Sequence, residues 1–148
     1  MPNEQLSILQ PYLASTATQG EDRTMKIKRL SGVIIWTDQF TSMVTFYEKE
    51  LGLSPHSVKP DFVAFKWGTT KFSIGQHSEV SGQSKDPYRI MLNFDVSDIV
   101  LLCKELTDRG VNFIRKPERE HWGGLVATFN DPDGNIVQLL QHPIIKTS

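Results

Sequence analysis

The first half of the chain contains segments of two different hydrophobic periods. β-Branched and aromatic residues dominate positions 27–36, a composition typical of a β-strand. Apolar residues then recur at helical spacing as far as Leu51, and Gly52 stands where a helix ends in a left-handed residue. Thr37 and Asp38 are candidate caps for this helix. We therefore predict a strand, a helix and three further strands, the last three at about 54–58, 61–67 and 70–76.

The second half repeats this order of elements. Positions 88–96 again have the composition of a strand, Ser97 and Asp98 are candidate helix caps, and a helical apolar stripe ends at Gly110. Three more strands are predicted at about 112–116, 125–130 and 135–141, after a linker at 78–87. Equivalent positions keep nearly constant separations, which indicates a duplicated module. The equivalent pairs are Val33 with Leu92, Gly52 with Gly110, Val63 with Val126, and Phe72 with Val137.

Composition limits the partners that the chain can have. Its 148 residues suit one domain. With 16 Lys plus Arg and 17 Asp plus Glu, the net charge of -1 gives no field that attracts nucleic acid or an anionic membrane. No apolar run approaches the roughly 20 residues that span a bilayer, and the lone Cys103 cannot form an internal disulfide. We expect no nucleic-acid or membrane partner and a cytoplasmic location.

The first 25 residues differ from the rest of the chain. They show little periodicity and lack the continuous apolar stretch of a secretory signal. We interpret residues 1–25 as a flexible N-terminal extension and residues 26–148 as the domain, with modules at about 26–77 and 88–142.

Two groups of motifs resemble one known superfamily. The first group is the strand segment Leu30-Ser31-Gly32-Val33-Ile34 with the helix motifs Phe46-Tyr47 and Leu51-Gly52. The second is Trp122-Gly123-Gly124 with Asp131-Pro132-Asp133-Gly134-Asn135. Both closely resemble the vicinal-oxygen-chelate superfamily of glyoxalases, bleomycin-resistance proteins and extradiol dioxygenases. The resemblance implies an α+β fold in which two βαβββ modules form a curled mixed sheet or half-barrel with a central cleft. It also makes a homodimer the expected assembly, with the cleft formed either within one chain or between two.

The same resemblance implies where a divalent metal would bind. Metal-binding members place His or Glu ligands on the first and last strands of each module. Carried over to this sequence, these positions hold Gly32, Ser73, Met91 and Gln138. A hydroxyl, a thioether and an amide are poor donors for a hard or borderline cation. We therefore predict no cofactor and no metal site of the family type, although a divalent metal held by other side chains stays open. The equivalent residues His77 and His142 are either a displaced pair of ligands or strand-end residues in solvent.

The predicted cleft carries residues suited to a small ligand. Alternation along the strands places Trp36 on the face of Gly32, and Asn93 on the face of Met91. Trp122 precedes paired glycines and is a candidate lid. Aromatic walls with a few polar groups are typical of small-molecule pockets. The candidate ligand-binding residues are Trp36, Ser73, His77, Met91, Asn93, Trp122 and Gln138.

Three functional hypotheses follow. The favoured one is a small-molecule binding protein of the glyoxalase/bleomycin-resistance type, with a neutral aromatic ligand expected because the chain is charge-balanced. The alternative is a metal-dependent lyase, isomerase or dioxygenase of the same superfamily, so whether the chain is an enzyme stays open. A third is a subunit whose cleft binds another protein. No catalytic residue is assigned, since Cys103 belongs to an apolar helix stripe and Asp131 and Asp133 fit a turn.

Overall fold

The computed structural model describes residues 26–144. The predicted extension at 1–25 lies outside the described residues and stays a prediction. Residues 31–144 belong to one compact unit, which contains the fold and the site below. No helix within residues 26–144 is both long enough and apolar enough to cross a bilayer.

The first module has the predicted order of strand, helix and three strands. Its helix α1 continues directly into a π-helical turn. Its sheet has the order β1-β4-β3-β2, with β1 parallel to β4 and the other neighbours antiparallel. The elements are β1 (Gly32–Thr37), α1 (Phe40–Thr45), the π-helical turn (Phe46–Glu50), β2 (Ser57–Lys59), β3 (Phe62–Trp67) and β4 (Thr70–Gln76).

The second module has the same architecture. Its sheet has the order β5-β8-β7-β6, again with only the first pair parallel. The elements are β5 (Leu92–Asp95), α2 (Ile99–Asp108), β6 (Phe113–Arg119), β7 (Leu125–Asn130) and β8 (Ile136–Gln141). The predicted α+β class with two βαβββ modules is confirmed.

The repeat extends to the register of the strands. Ile34 of β1 lies opposite Ser73 of β4, and Asn93 of β5 lies opposite Gln138 of β8. These are the positions that the sequence comparison of the two halves had made equivalent. The duplication is therefore visible in the hydrogen-bonded pairing as well as in the order of elements.

Strands β1 and β5 begin later than their sequence composition predicts. β1 begins at Gly32 because its partner β4 begins at Thr70, and β5 begins at Leu92 opposite Val137. The preceding β-branched and aromatic residues have no strand to pair with, and unpaired backbone does not form a sheet. Composition shows that a segment favours the extended state, whereas the partner decides where the strand begins.

The two helices begin in different ways. Asp98 caps α2 as predicted, because its carboxylate accepts a hydrogen bond of 3.0 Å from the backbone N–H of Leu101. The predicted caps of α1 are wrong, since Gln39 occupies the N-cap without a side-chain cap bond. Thr37 instead accepts a bond from the Gln39 N–H, and Asp38 accepts one from the backbone N–H of Gly82. The side-chain oxygens of Thr37 and Asp38 therefore accept hydrogen bonds from backbone N–H groups outside the first turn of α1.

Both helices and one face of each sheet share a single buried core. Phe72 of the first sheet meets Phe94 of the second with ring centroids 6.0 Å apart. Phe46 of the π-helical turn lies 6.0 Å from Phe129 of β7. Because side chains alternate across a strand, the opposite face of each sheet points away from this core. We call these the outward faces of the first and second sheet.

Two polar contacts to the turn after β7 also join the modules, one from the N-cap of α1 and one from the π-helical turn. The hydroxyl of Tyr47 donates a bond of 2.7 Å to Asp131, and the side-chain amide of Gln39 donates one of 3.0 Å to Asp133. Both carboxylates are buried. Burial raises the pKa of Tyr47 well above its ordinary value, and the neighbouring carboxylate adds to this, so the phenol keeps its proton and is the donor.

Candidate functional site

A cavity of about 540 Å³ lies on the outward face of the first sheet. Its apolar surface comes from Val33 and Ile34 of β1 and from Phe62 and Ala64 of β3, and its remaining surface is polar. This size and mixture fall in the range of pockets for small organic ligands. The complete lining is Ser31, Gly32, Val33, Ile34, His56, Ser57, Lys59, Phe62, Ala64, Lys71 and Ser73.

Small side chains give the cavity its depth. The strand pairings place Ser73 between Ile34 and Ala64, with Ser57 opposite Ala64 on the next strand. Gly32 has no room for a side chain, because a Cβ there would collide with the backbone carbonyl of Lys71. The floor therefore consists of hydroxyl, methyl and backbone groups. Larger residues stand only at its edges.

An aromatic cluster borders the cavity. Phe62 lines the cavity, and its ring centroid lies 6.0 Å from that of Trp36. His77 packs edge-on against Trp36 with ring centroids 5.2 Å apart. The cluster depends on Gly75, since a Cβ there would come within 2.5 Å of the Trp36 ring and 2.8 Å of the Phe62 ring. Trp36 is 41% exposed, so part of its ring is open to a ligand or another surface.

The charged side chains in the cavity lining are both lysines, so their charge is positive. Lys59 of β2 and Lys71 of β4 line it, and the lining contains no carboxylate. Among residues 26–144 neither ammonium group forms an ion pair. His56 and three serines supply further hydrogen-bonding groups. The cavity therefore offers donors and positive charge beside an aromatic wall.

The outward face of the second sheet has a different chemistry. Nε2 of His142 lies 3.0 Å from the Asp95 carboxylate, and the Trp122 ring lies 5.6 Å from the His142 ring. The amide of Gln138 donates a bond of 3.3 Å to the hydroxyl of Thr128. On the neighbouring strand one arginine pairs with two glutamates, Arg115 with Glu118 and Glu120. The described acidic groups on this side already have partners.

The residues predicted to bind a ligand fall into two groups. Trp36, Ser73 and His77 belong to the first sheet or directly follow it, and Ser73 lines the cavity. Asn93 and Gln138 are opposite one another on the second sheet. Met91 precedes β5, and Trp122 covers Gly124. The binding role of all seven residues stays a prediction.

Sequence reasoning did not identify the two lysines and the phenylalanine of the cavity lining as ligand-binding residues. Phe62 and Lys71 lie within predicted strands whose faces were not assigned, and Lys59 lies just beyond the predicted end of β2 at about 58. The sequence alone could have identified Lys71, because residues two apart on a strand share a face and Lys71 precedes Ser73 by two positions. Lys59 and Phe62 needed the pairings of β2 with β3 and of β3 with β4, which a single sequence does not show.

The positions that the family resemblance assigns to metal ligands have little to offer a cation. Gly32 supplies no side-chain donor, Ser73 supplies a hydroxyl, and Gln138 already bonds Thr128. Met91 supplies a thioether, which suits soft cations. Within the part of the chain that the structure describes, no group of three His, Cys, Asp or Glu side chains is placed to hold a metal. These donors do not fit a hard divalent ion.

The two equivalent histidines have separate partners. Nδ1 of His77 accepts a bond of 3.1 Å from the backbone N–H of Glu79, and its ring packs on Trp36. His142 bonds Asp95. Each histidine thus contacts residues of its own module.

Cys103 has the environment of a packing residue. Its side chain is 5% exposed and belongs to the shared core on α2. Burial raises the pKa of its thiol to about 11, whereas a reactive cysteine needs a stabilised thiolate.

Comparison with known proteins agrees with the fold. A family model described as Glyoxalase/Bleomycin resistance protein/Dioxygenase superfamily matches residues 27–139. The chain belongs to this superfamily.

Two curated relatives are similar over most of their length. Uncharacterized protein YraH of Bacillus subtilis (strain 168) is 28% identical over 123 residues, which cover 75% of this chain and 96% of YraH. Virulence protein STM3117 of Salmonella typhimurium is 25% identical over 132 residues, covering 82% of this chain and 90% of that protein. The crystal structure of STM3117 matches with a TM-score of 0.63 at 24% identity, covering 80% of this chain and 100% of that one. This structural likeness shows the shared fold.

Proposed function

We propose that this protein binds a small organic molecule in the cavity on the outward face of the first sheet, without a metal of the family type. The cavity of about 540 Å³ carries this proposal, because its floor of small side chains, its aromatic border and its few polar groups are the usual features of a ligand pocket. The ligand-binding residues of the first sheet are Ser73, Trp36 and His77, joined by Phe62.

The chemistry of the family ligand positions supports binding without a metal. A divalent cation that leaves water needs several strong donors converging at about 2.0 to 2.3 Å. Gly32, Ser73, Met91 and Gln138 carry neither imidazole nor carboxylate. Recognition then depends on shape, on aromatic contact and on hydrogen bonds. The superfamily also contains enzymes, and the protein is proposed here as a binding protein.

We also propose a cytoplasmic homodimer in which a second copy covers the cavity. The lining comes entirely from the first module, so one side of the cavity is open. Ile34 and Trp36 stand beside this opening and are 48% and 41% exposed. Large apolar side chains grouped on a surface favour contact with another surface. The outward face of a partner's second sheet would bring its own residues, Asn93 and Gln138 among them, to the ligand.

A thermal-shift screen tests the binding function. The purified full chain is heated with a panel of aromatic and aliphatic metabolites and drugs, and hits are measured by calorimetry. A ligand that binds the folded state raises the melting temperature by mass action. Hits should lose affinity in Ser73→Leu, which fills the floor of the cavity, and keep it in the matched surface variant Ser97→Leu. A panel without any stabilising compound would contradict the proposal.

Elemental analysis tests the proposed absence of a metal role. Protein purified without chelator should contain no stoichiometric Fe, Ni, Zn or Mn, and chelator treatment should change neither its melting temperature nor its affinity for a hit. One tightly held ion per chain, lost together with binding, would instead support a metal-dependent lyase, isomerase or dioxygenase.

A further inference from the structure

We propose that the ligand of this cavity is a planar aromatic compound that carries an anionic oxygen group. This inference rests on the proposed binding function and names the chemical class of its ligand. It differs from the neutral ligand that overall composition favours, because composition averages charges that the fold separates.

The positive charge is local to the cavity. Lys59 and Lys71 come from β2 and β4, which lie on opposite sides of β3, and both line the same space. No Asp or Glu takes part in that lining, and neither lysine pairs with a carboxylate of residues 26–144. By contrast, Arg115 on the second sheet is paired twice. An anionic group in the cavity would pair with these two exposed ammonium groups.

The hydrogen-bonding groups fit the same ligand. Ser57 lies opposite Ala64, which is itself opposite Ser73, so two hydroxyls flank a methyl group on the floor. Serine hydroxyls and lysine ammonium groups can all donate to an oxygen anion. Bonds to a charged acceptor are roughly twice as strong as bonds between neutral groups. A neutral or cationic ligand would leave these donors less well used.

The aromatic part of the ligand is argued from the wall of the cavity. Phe62 lines the space directly, and Trp36 extends the same surface at a ring separation of 6.0 Å. The two rings come from β1 and β3, the strands on either side of β4, and both lie close to Gly75 of β4. A flat ring gains offset or edge contacts with such a surface that a saturated ring of the same charge does not.

Matched probes test this class by calorimetry on the full chain. The probes are naphthalene carboxylate, naphthalene carboxamide, naphthylmethylammonium and cyclohexane carboxylate, with naphthyl phosphate to separate carboxylate from phosphate recognition. We expect naphthalene carboxylate or naphthyl phosphate to bind about tenfold more tightly than the carboxamide at low salt. The difference should shrink at high salt, because exposed charges are screened. The cyclohexane compound should bind more weakly than the naphthalene carboxylate.

Variants locate the effect. Lys59→Gln and Lys71→Gln should each weaken anion binding by about threefold to tenfold and leave carboxamide binding unchanged. Lys104→Gln, at an exposed lysine of α2, is the matched control and should change neither. Circular dichroism verifies that each variant is folded.

Two kinds of failure are distinguishable. Equal binding of the anionic, neutral and cationic naphthalenes, or unchanged anion affinity in both lysine variants, would overturn the anionic ligand while the binding function stands. The same conclusion follows if the wild type binds none of the probes although the broader screen gives ligands of another class. A screen without any ligand would instead contradict the binding function itself.

Discussion

The hydroxyl of Tyr47 and the carboxylate of Asp131 are 2.7 Å apart, although 84 positions separate them in the sequence. Tyr47 lies in the π-helical turn of the first module, and Asp131 begins the turn between β7 and β8 of the second. The two groups lie at the joint between the modules, and both are buried.

Removal of this hydroxyl should destabilise the fold. Tyr47→Phe deletes one of the donors to a buried carboxylate and should lower the free energy of unfolding by about 1–3 kcal/mol. Urea denaturation measures the change. Tyr88→Phe, at a residue that is 65% exposed, is the matched control and should have almost no effect. Equal stability of the two variants would mean that the contact between Tyr47 and Asp131 contributes nothing to the stability of the fold.

Stability should also depend on pH through the two buried carboxyls. Burial is the largest cause that raises the pKa of Asp131 and of Asp133, and the hydrogen bonds that each accepts oppose it only in part. A carboxyl with a raised folded-state pKa binds protons more readily in the folded state. Its contribution to stability is therefore present below the ordinary value of 3.8 and is lost as the pH rises through the folded-state pKa.

The variant Asp131→Asn tests this sign. Relative to the variant, the wild type should lose stability as the pH is raised from about 3.8 into the range above it. Denaturation curves at a series of pH values give the difference in unfolding free energy between the wild type and the variant. The change of this difference with pH is the result that matters, because the amide also alters the hydrogen bonds from Asn135 at any pH. A difference that grows in favour of the wild type with rising pH would show that the pKa of Asp131 is lowered in the folded state.

Gly75 should tolerate no side chain while both aromatic rings keep their places. Gly75→Ala places a methyl group 2.5 Å from Trp36 and 2.8 Å from Phe62, and should destabilise the protein by about 1–3 kcal/mol. The near-ultraviolet circular dichroism of the tryptophan should change at the same time. In Trp36→Leu the same substitution should cost less, because the closer of the two clashes, with the indole ring, is removed. Additive effects of the two changes would contradict the packing described for this cluster.

The proposed dimer predicts an effect of charge at the open side of the cavity. Ile34→Glu should shift the protein toward the monomer in sedimentation experiments, because a carboxylate would have to lose water in the interface. Val100→Glu, at a position of α2 that is 63% exposed, is the control and should leave the assembly unchanged. A wild type that remains monomeric at all concentrations would contradict the dimer.

The sequence contained enough information for the elements and for their repetition. Alternation and helical spacing predicted all eight strands and both helices, and Gly52 and Gly110 take positive φ values at the helix ends where such residues were expected. These features are local, because they depend on neighbours within a few residues. Asp98 was also correctly identified as a cap for this reason.

Contacts between distant segments were not predictable in the same way. The caps assigned to Thr37 and Asp38 failed because Asp38 instead bonds Gly82, in the linker between the modules. The contact of Tyr47 with Asp131 requires the packing of one module on the other. The charge of the cavity depends on which lysines share a face, and this follows from strand pairing that neither composition nor spacing specifies.

The close approach of β1 to β4 at Gly32 limits how the protein could change. Because a Cβ at position 32 would collide with the Lys71 carbonyl, an imidazole cannot be added there unless the two strands separate. A single codon change that encodes histidine would therefore disturb the sheet before it created a ligand. Engineering of a metal ligand at position 32 would therefore have to move β1 away from β4 first.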